Sequence, residues 1–211
     1  PLKDFIALDV YNTTTVRRKF SENPSFELRM KYGIWNSSIG YDYGAWMSLN
    51  KETYYTEISH PDRTFRSDEA NELFMGSHNH DITWNNNFDI NKNNTISLAY
   101  YFQHEKENDI SNADMKYSDT EKYNDKNIRR QTIDNCNLHN VTLYYKSKIG
   151  KSLLSLGGDY SIISNNSRTD IAEKNKNNDN GNNNFTKTTN KYKIMTLNAT
   201  CLLYTSPSPR D

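Results

Sequence analysis

The chain has 211 residues with 26 basic and 26 acidic side chains, so its formal net charge is zero. The charges are interspersed along the sequence, which argues against a nucleic-acid-binding surface. No apolar run approaches the ~20 residues of a membrane-spanning helix, although this does not exclude membrane-spanning strands, which are short and only half apolar. Hydrophobic residues make up 34% of the sequence and include 15 Tyr, which is lean for a soluble core.

Both ends of the sequence indicate a fragment. The chain begins at Pro1 with neither an initiator Met nor a signal peptide. Residues 201–211 match one reading frame of a transposon adapter used in sequencing libraries, and they break the pattern of everything before them. We therefore assign residues 1–200 to one partial domain and interpret 201–211 as an adapter-derived artefact. Without Cys201 only Cys136 remains, so no intrachain disulfide is predicted.

The first element in chain order is a strand over residues 4–11, where Ile6, Leu8 and Val10 share one face. The polar residues 12–24 predict a connection.

Two runs of alternation around Gly33 predict an antiparallel hairpin over residues 25–48. One predicted face is long and aromatic, and consists of Phe26, Leu28, Met30, Tyr32, Trp35, Ile39, Tyr41, Tyr43 and Ala45. The other mixes charge with glycine and small polar residues, namely Glu27, Arg29, Lys31, Asn36, Ser38, Gly40, Asp42 and Gly44. This combination suits a wall with lipid on one side and a wet lumen on the other.

This hairpin resembles the early strand-turn-strand of the bacterial outer-membrane β-barrel family related to TonB-dependent receptors. The matching residues are Arg29, Lys31, Gly33, Trp35, Asn36, Gly40, Tyr41 and Tyr43, and the resemblance extends over roughly residues 5–200. It implies energised uptake of a scarce nutrient, a plug domain upstream and coupling to the TonB system of the inner membrane. The plug, the coupling box and the barrel-closing strand of that family have no counterpart in this sequence.

Two more hairpins and the start of a last strand follow the same plan. We predict turns at residues 91–94 and 148–151, and a last strand that begins at Tyr192. Between the hairpins alternation fades and charge or Asn content rises, which predicts long loops over residues 49–77, 104–130 and 164–190. Short turns on one side and long loops on the other are typical of outer-membrane barrels, so we expect these loops outside the cell.

A set of aromatic residues is assigned to the outer face, several of them near strand ends. Trp and Tyr favour the membrane–water interface, where the ring is buried and the polar tip stays wet. The set comprises Trp35, Tyr43, Trp46, Trp84, Tyr100, Phe102 and Tyr145. The alternative is that these rings pack in the core of an ordinary sheet.

No pattern for catalysis or cofactor binding is evident. His78 and His80 share one strand face, but no Cys or third His is near, and a solvated junction between loop and strand accounts for them. The sequence has no nucleophile elbow and no phosphate-binding glycine loop. The glycosylation sequons at Asn36 and Asn140 lie inside strands, a poor place for glycans. We therefore predict no enzyme and no catalytic, cofactor or metal residues, and no ligand-binding residue is identified.

The sequence thus predicts an all-β protein, an antiparallel meander that forms part of a transmembrane β-barrel. In this segment the sheet should be open and curved, with unpaired first and last strands. The expected function is the partial wall of a TonB-dependent receptor-like protein for nutrient uptake, located in the bacterial outer membrane. Its expected partners are outer-membrane lipid, a plug domain and the TonB system, without nucleic acid. The alternatives are an outer-membrane barrel enzyme or adhesin, and a soluble, secreted β-rich binding module.

Overall fold

The structure, a computed structural model, describes residues 4–16, 19–119, 122–175 and 178–203. All regular structure in these ranges is β, in eight strands: Phe5–Val16 (β1), Lys19–Tyr32 (β2), Trp35–His60 (β3), Arg63–Asn91 (β4), Asn94–Asp119 (β5), Lys122–Ile149 (β6), Ser152–Asn175 (β7) and Asn178–Leu203 (β8). Each strand pairs antiparallel with the next, and the sheet order is β1 to β8. The predicted all-β antiparallel meander is confirmed. None of the described residues belongs to a helix long and apolar enough to cross a membrane.

The short turns fall where the sequence predicts them. Residues 33–34 join β2 to β3, residues 92–93 join β4 to β5, and residues 150–151 join β6 to β7. Gly33 and Gly150 have φ angles of 57° and 61°. This left-handed region carries no steric penalty for glycine, which explains why these two turns are tight.

The three long loops predicted between the hairpins are wrong. β3 and β4 pair without a break, from the pair formed by Trp35 and Phe88 to the pair formed by His60 and Arg63. β5 pairs with β6 to the end of both strands, and β8 begins at Asn178 rather than at Tyr192. These strands have 24 to 29 residues instead of about ten. Alternation is not needed for pairing, because the ladder uses backbone groups that every residue except proline supplies in full.

The predicted polar connection over residues 12–24 is likewise replaced by strand. β1 continues to Val16, and β2 begins at Lys19. Pro24 lies within β2, where its missing N–H removes a donor from the ladder.

The sheet is open within the described ranges, as expected. β1 pairs only with β2, β8 pairs only with β7, and no contact joins β1 to β8. Both edges therefore present a row of unpaired backbone groups. β8 continues through residues 201–203, which pair with residues 152–154 of β7. Residues 204–211 lie outside the described ranges, so the domain boundary and the adapter origin stay predictions.

A single layer of strands leaves this part of the chain without a core. Ala113 is the only buried hydrophobic residue among those described, and none of the large side chains there is fully buried. Apolar residues in the middle of the sheet stay exposed, at 39% for Ile39, 41% for Trp84 and 55% for Leu143. The ladder and its cross-strand pairs hold this sheet together, and its apolar face has no covering layer.

Candidate functional site: the two faces of the sheet

The strand register assigns each side chain to one of two faces, because directly paired residues lie on the same side of a sheet. One continuous row runs Leu28, Ile39, Trp84, Tyr100, Val141, Tyr160 and Met195. The next row toward the short turns runs Met30, Ser37, Asn86, Leu98, Leu143, Gly158 and Leu197. We call this side the apolar face and the opposite side the polar face. The predicted alternation of residues 25–45 is confirmed.

The apolar rows form a band of limited height. In each central strand the band covers about nine residues, a length that suits a tilted membrane-crossing strand: 35–43 in β3, 80–88 in β4, 96–104 in β5, 137–145 in β6 and 154–162 in β7. At ~3.3 Å per residue this is roughly 26 Å along the strand, before tilt.

Aromatic side chains border the band on the side of the short turns. Trp35 Nε1 donates a hydrogen bond to Asn86 Oδ1 at 3.0 Å. Tyr145 OH donates to Asn94 Oδ1 at 2.8 Å. In both pairs the ring belongs to the apolar face and its polar tip has a partner.

A second set of aromatic rings lies toward the other end of the band and includes imidazoles. Tyr41 OH lies 2.8 Å from His80 Nδ1, and the Tyr43 ring centroid lies 5.0 Å from that of His80. Tyr100 OH lies 2.9 Å from His139 Nδ1. Polar-tipped rings therefore lie toward both ends of the band.

Of the predicted outer-face aromatic set, all but Trp46 lie on the apolar face, and the assignment of Trp46 is wrong. Trp46 pairs with Ser77, which pairs with Glu107 on the polar face. No bulge interrupts β3 between residues 35 and 60, so even-numbered residues keep the polar side throughout.

The two neighbouring histidines of β4 share the apolar face, as predicted. His80 pairs with His104, and the two rings stack with centroids 6.2 Å apart. His104 Nδ1 in turn lies 2.8 Å from Asn137 Oδ1. Among the described residues no group of three or more His, Cys, Asp or Glu side chains could hold a metal ion.

On the polar face, hydrogen-bonded side chains cross the sheet at the level of the band. Asp81 accepts from Tyr101 OH at 2.8 Å and from Asn79 Nδ2 at 2.7 Å. A Cβ on Gly44 would lie 2.1 Å from Asn79 Oδ1, so the glycine leaves the space that this amide occupies. Asp81 therefore joins β4 to β5 through side chains on the polar face.

Beyond the band, the polar face becomes acidic. Partial burial, followed by the charges of Glu105, Asp109 and Asp134, raises the pKa of the Glu107 carboxyl. Partial burial and then Asp134 raise the pKa of Asp109. A shallow cavity of 220 Å³ lies here and is lined by Glu105, Glu107, Asp134, Cys136 and Asn165.

The opposite end of the polar face, beside the short turns, is rich in lysine. A cavity of 620 Å³ is lined there by Lys92, Lys146, Lys148 and Lys151, together with Asn93, Thr95, Gly150 and Leu153. The polar face thus runs from basic to acidic along the strands.

No family model and no curated protein matches this chain. Solved structures that are similar to it include outer-membrane proteins. The ferric citrate transporter FecA, in its unliganded form, is similar over 94% of this chain and 35% of its own, with 6% identity and a TM-score of 0.39. The ferric yersiniabactin uptake receptor FyuA from Yersinia pestis is similar over 86% of this chain and 35% of its own, with 10% identity and a TM-score of 0.26.

A major outer membrane protein from Thermus thermophilus is similar over 93% of this chain and 98% of its own, with 8% identity and a TM-score of 0.27. The chain spans about a third of the length of FecA and FyuA. With TM-scores below 0.5, these likenesses define neither the ligand nor the activity of this chain.

Proposed function

We propose that this chain forms part of the wall of a bacterial outer-membrane β-barrel. One observation carries the proposal: a single-layer sheet has an apolar band of about nine residues per strand, opposite a polar face. Rings with bonded polar tips lie toward both ends of the band. Lipid is the environment that covers such a face, whereas a soluble sandwich covers it with a second sheet.

The finer proposal is a TonB-dependent receptor-like role in the uptake of a scarce nutrient. Its support is the resemblance of residues 29–43 to that family, together with a polar face that carries acidic and basic regions suited to a wet lumen. A plug domain and the TonB system would be its partners. The proposal assigns the chain a transport role rather than a catalytic one, and it leaves the nutrient unnamed.

Two tryptophans of this chain, Trp84 and Trp46, test the wall directly, because they lie on opposite faces. Trp84 belongs to the middle of the apolar band and Trp46 to the polar face. We suggest single-tryptophan variants of the full-length protein, with every other Trp replaced by Phe, reconstituted with lipids brominated in mid-chain. Strong quenching of Trp84 and little quenching of Trp46 are expected. Equal quenching of the two, or none at Trp84, would contradict a lipid-facing wall and favour a soluble β-module.

The complete gene tests the transport role separately. A plug-like domain encoded before Pro1, in a barrel that passes the quenching test, supports the receptor. A complete protein of only two to three hundred residues would support a barrel enzyme or adhesin instead, because so short a chain has no room for a plug and a large barrel.

A further inference from the structure

We propose that the apolar face carries, at the end of its band away from the short turns, a basic belt that binds the phosphate groups of anionic lipids. The belt consists of His78, His80, His104, Lys106, His139, Lys191 and Lys193. This inference rests on the proposed barrel wall, since it requires that the apolar band lie in lipid.

The first observation is a separation of charge between the two faces at this end of the band and just beyond it. Four successive rows of paired residues cross the apolar face here from β3 to β8. They are the rows that pass through His139, His80, Lys106 and Asn108, in that order. None of the described residues in these rows is Asp or Glu. The rows of the polar face that alternate with these along the strands contain no Lys or Arg among the described residues. Their acidic residues are Asp42, Asp81, Glu105, Glu107, Asp109 and Asp134. Glu22, on β2, is the nearest acid on the apolar side.

Register places the belt residues in adjoining rows. Lys193 pairs with Ile162, which pairs with His139. Lys191 lies in the row that reaches His104 through Ser164 and Asn137. From β5 to β8 this surface spans three strand spacings, or about 14 Å.

The lysines of the belt are available for an external anion. Lys106, Lys191 and Lys193 are exposed, and none of the three forms an ion pair with a described residue. The arginine in the next row, Arg168, differs because Asp170 already holds its guanidinium through two hydrogen bonds. We therefore leave Arg168 out of the belt.

The imidazoles are held in place by contacts through one ring nitrogen. His80, His104 and His139 each use Nδ1, toward Tyr41, Asn137 and Tyr100 respectively. Within the described ranges the Nε2 of these rings has no hydrogen-bond partner, so it can donate to an oxygen anion in its N–H form. Tyrosines thus orient two of these rings, His80 and His139, at the edge of the band.

Lipid phosphate matches this position better than a soluble anion does. The belt occupies the last two rows of the band and the first row beyond it, which is the membrane–water interface if Trp84, in the middle of the band, contacts acyl chains. The long side chains of Lys191 and Lys193 can extend from there to the headgroup phosphates. Basic side chains near an anionic membrane surface gain affinity from each added charge. The polar face at the same level is acidic and would repel an anion from the lumen side.

The test is lipid selectivity of the full-length protein in phosphatidylcholine nanodiscs that contain spin-labelled lipids. The association of spin-labelled phosphatidylglycerol is measured against that of spin-labelled phosphatidylcholine. We expect the native protein to prefer phosphatidylglycerol by about threefold or more. In the variant K106Q/K191Q/K193Q this preference should fall close to one.

A matched control removes the same charge from the polar face. Lys31, Lys146 and Lys148 pair with residues on that face, and the variant K31Q/K146Q/K148Q should keep the native preference. An equal loss in both triple variants would overturn the proposal, since net charge alone would then explain the effect. A preference for phosphatidylglycerol that survives in K106Q/K191Q/K193Q would also overturn the proposal. Loss of this preference in the native protein on addition of inorganic phosphate would overturn it too, because the ligand would then be a soluble anion.

Trp84 quenching by brominated lipid is measured in the same samples. Quenching with no lipid selectivity contradicts the belt while the barrel wall stands. Absence of quenching contradicts the wall itself, and the two failures are therefore distinguishable.

Discussion

Two parts of the same strands differ in chemistry although their backbones pair identically. Between residues 35 and 43, β3 alternates between an apolar and a polar face. Beyond Leu49 it presents polar side chains on both sides, such as Lys51 and Thr53 on one and Asn50 and Glu52 on the other. β4 pairs with both parts in one register. Alternation therefore marks where one face is apolar, whereas pairing needs only backbone donors and acceptors.

This difference has a consequence for register. Where one face is apolar, a slip by a single residue would carry every apolar side chain to the wrong side, so the band fixes the register. Where both faces are wet, a slip costs little. The hairpin ends beyond the band depend on the band for their alignment.

The largest expected effect comes from placing a charge on the apolar side of the band. Ile39→Arg should destabilise the full-length protein in lipid by about 2–4 kcal/mol, because the charge would sit near the bilayer midplane. Ser38→Arg places the same group on the polar face one residue away and should be mild. Thr53→Arg lies on the same side as Ile39 but beyond the band, and it should cost less than about 0.5 kcal/mol.

The measurement is urea unfolding from lipid vesicles, and the pair Leu98 and Ser97 on β5 repeats the comparison. A Thr53→Arg penalty as large as that of Ile39→Arg would extend the lipid-facing part along the whole strand. Equal tolerance at Ile39 and Ser38 would remove the distinction between the faces altogether.

The same distinction explains how much of the fold could be predicted from the sequence. The band could be predicted, since Ile39 and Tyr41 alternate with Gly40 and Asp42 in a way that only a two-faced strand requires. The strand structure of the hairpin ends could not be predicted, since residues such as Asn71 and Glu72 show no alternation of apolar and polar side chains. Their strand state depends on pairing with a neighbour, which is a property of the folded sheet.

A matched deletion tests whether the hairpin ends are independent of the band. Thr53 pairs with Ala70 and Glu57 with Arg66, so removing residues 53–57 together with 66–70 shortens the β3–β4 hairpin evenly. We expect a loss of about 1 kcal/mol or less, because the exposed ladder exchanges its hydrogen bonds for those of water. Removing residues 37–41 and 82–86 from the band should instead abolish insertion into vesicles. Failure of both proteins to insert would show that the hairpin ends and the band form one unit.

The acidic patch should make stability depend on pH in a defined direction. Since the folded state raises the pKa of Glu107 above its ordinary value of 4.5, the ionised carboxyl destabilises the fold at neutral pH. Stability should fall as the pH rises through the window between that ordinary value and the raised one. Glu107→Gln should therefore gain a few tenths of a kcal/mol at neutral pH, a figure reduced for solvent screening.

Urea midpoints of both proteins at neutral pH and at about pH 3, below the ordinary pKa of a Glu carboxyl, check this. The gain should vanish at the lower pH, where both side chains are neutral. A gain that persists there would come from packing and not from charge.

The separation of basic and acidic residues onto opposite faces could have been predicted from an alternation in the sequence that we did not use. His104, Glu105, Lys106 and Glu107 alternate in type, with the basic side chains at even numbers and the acidic ones at odd numbers. In a strand this spacing separates the two signs onto opposite faces. Which neighbouring strands continue each face could not be read from the sequence, because it depends on register across β4 to β8. The place of Trp46 could have been found by continuing the count of even positions in β3.

The smallest expected effect is in the hairpin ends, at the ion pair between Lys51 and Glu72. The two residues pair directly across β3 and β4, yet their side chains are 68% and 55% exposed. Water and salt screen such a pair, and holding two long side chains in one geometry costs conformational entropy. A double-mutant cycle with Lys51→Gln and Glu72→Gln, measured by urea unfolding at moderate salt, should therefore give a coupling too small to resolve. A clear coupling that survives added salt would mean that this part of the hairpin is shielded from water. The proposed boundary between a wet hairpin end and a lipid-covered band would then lie beyond residue 51.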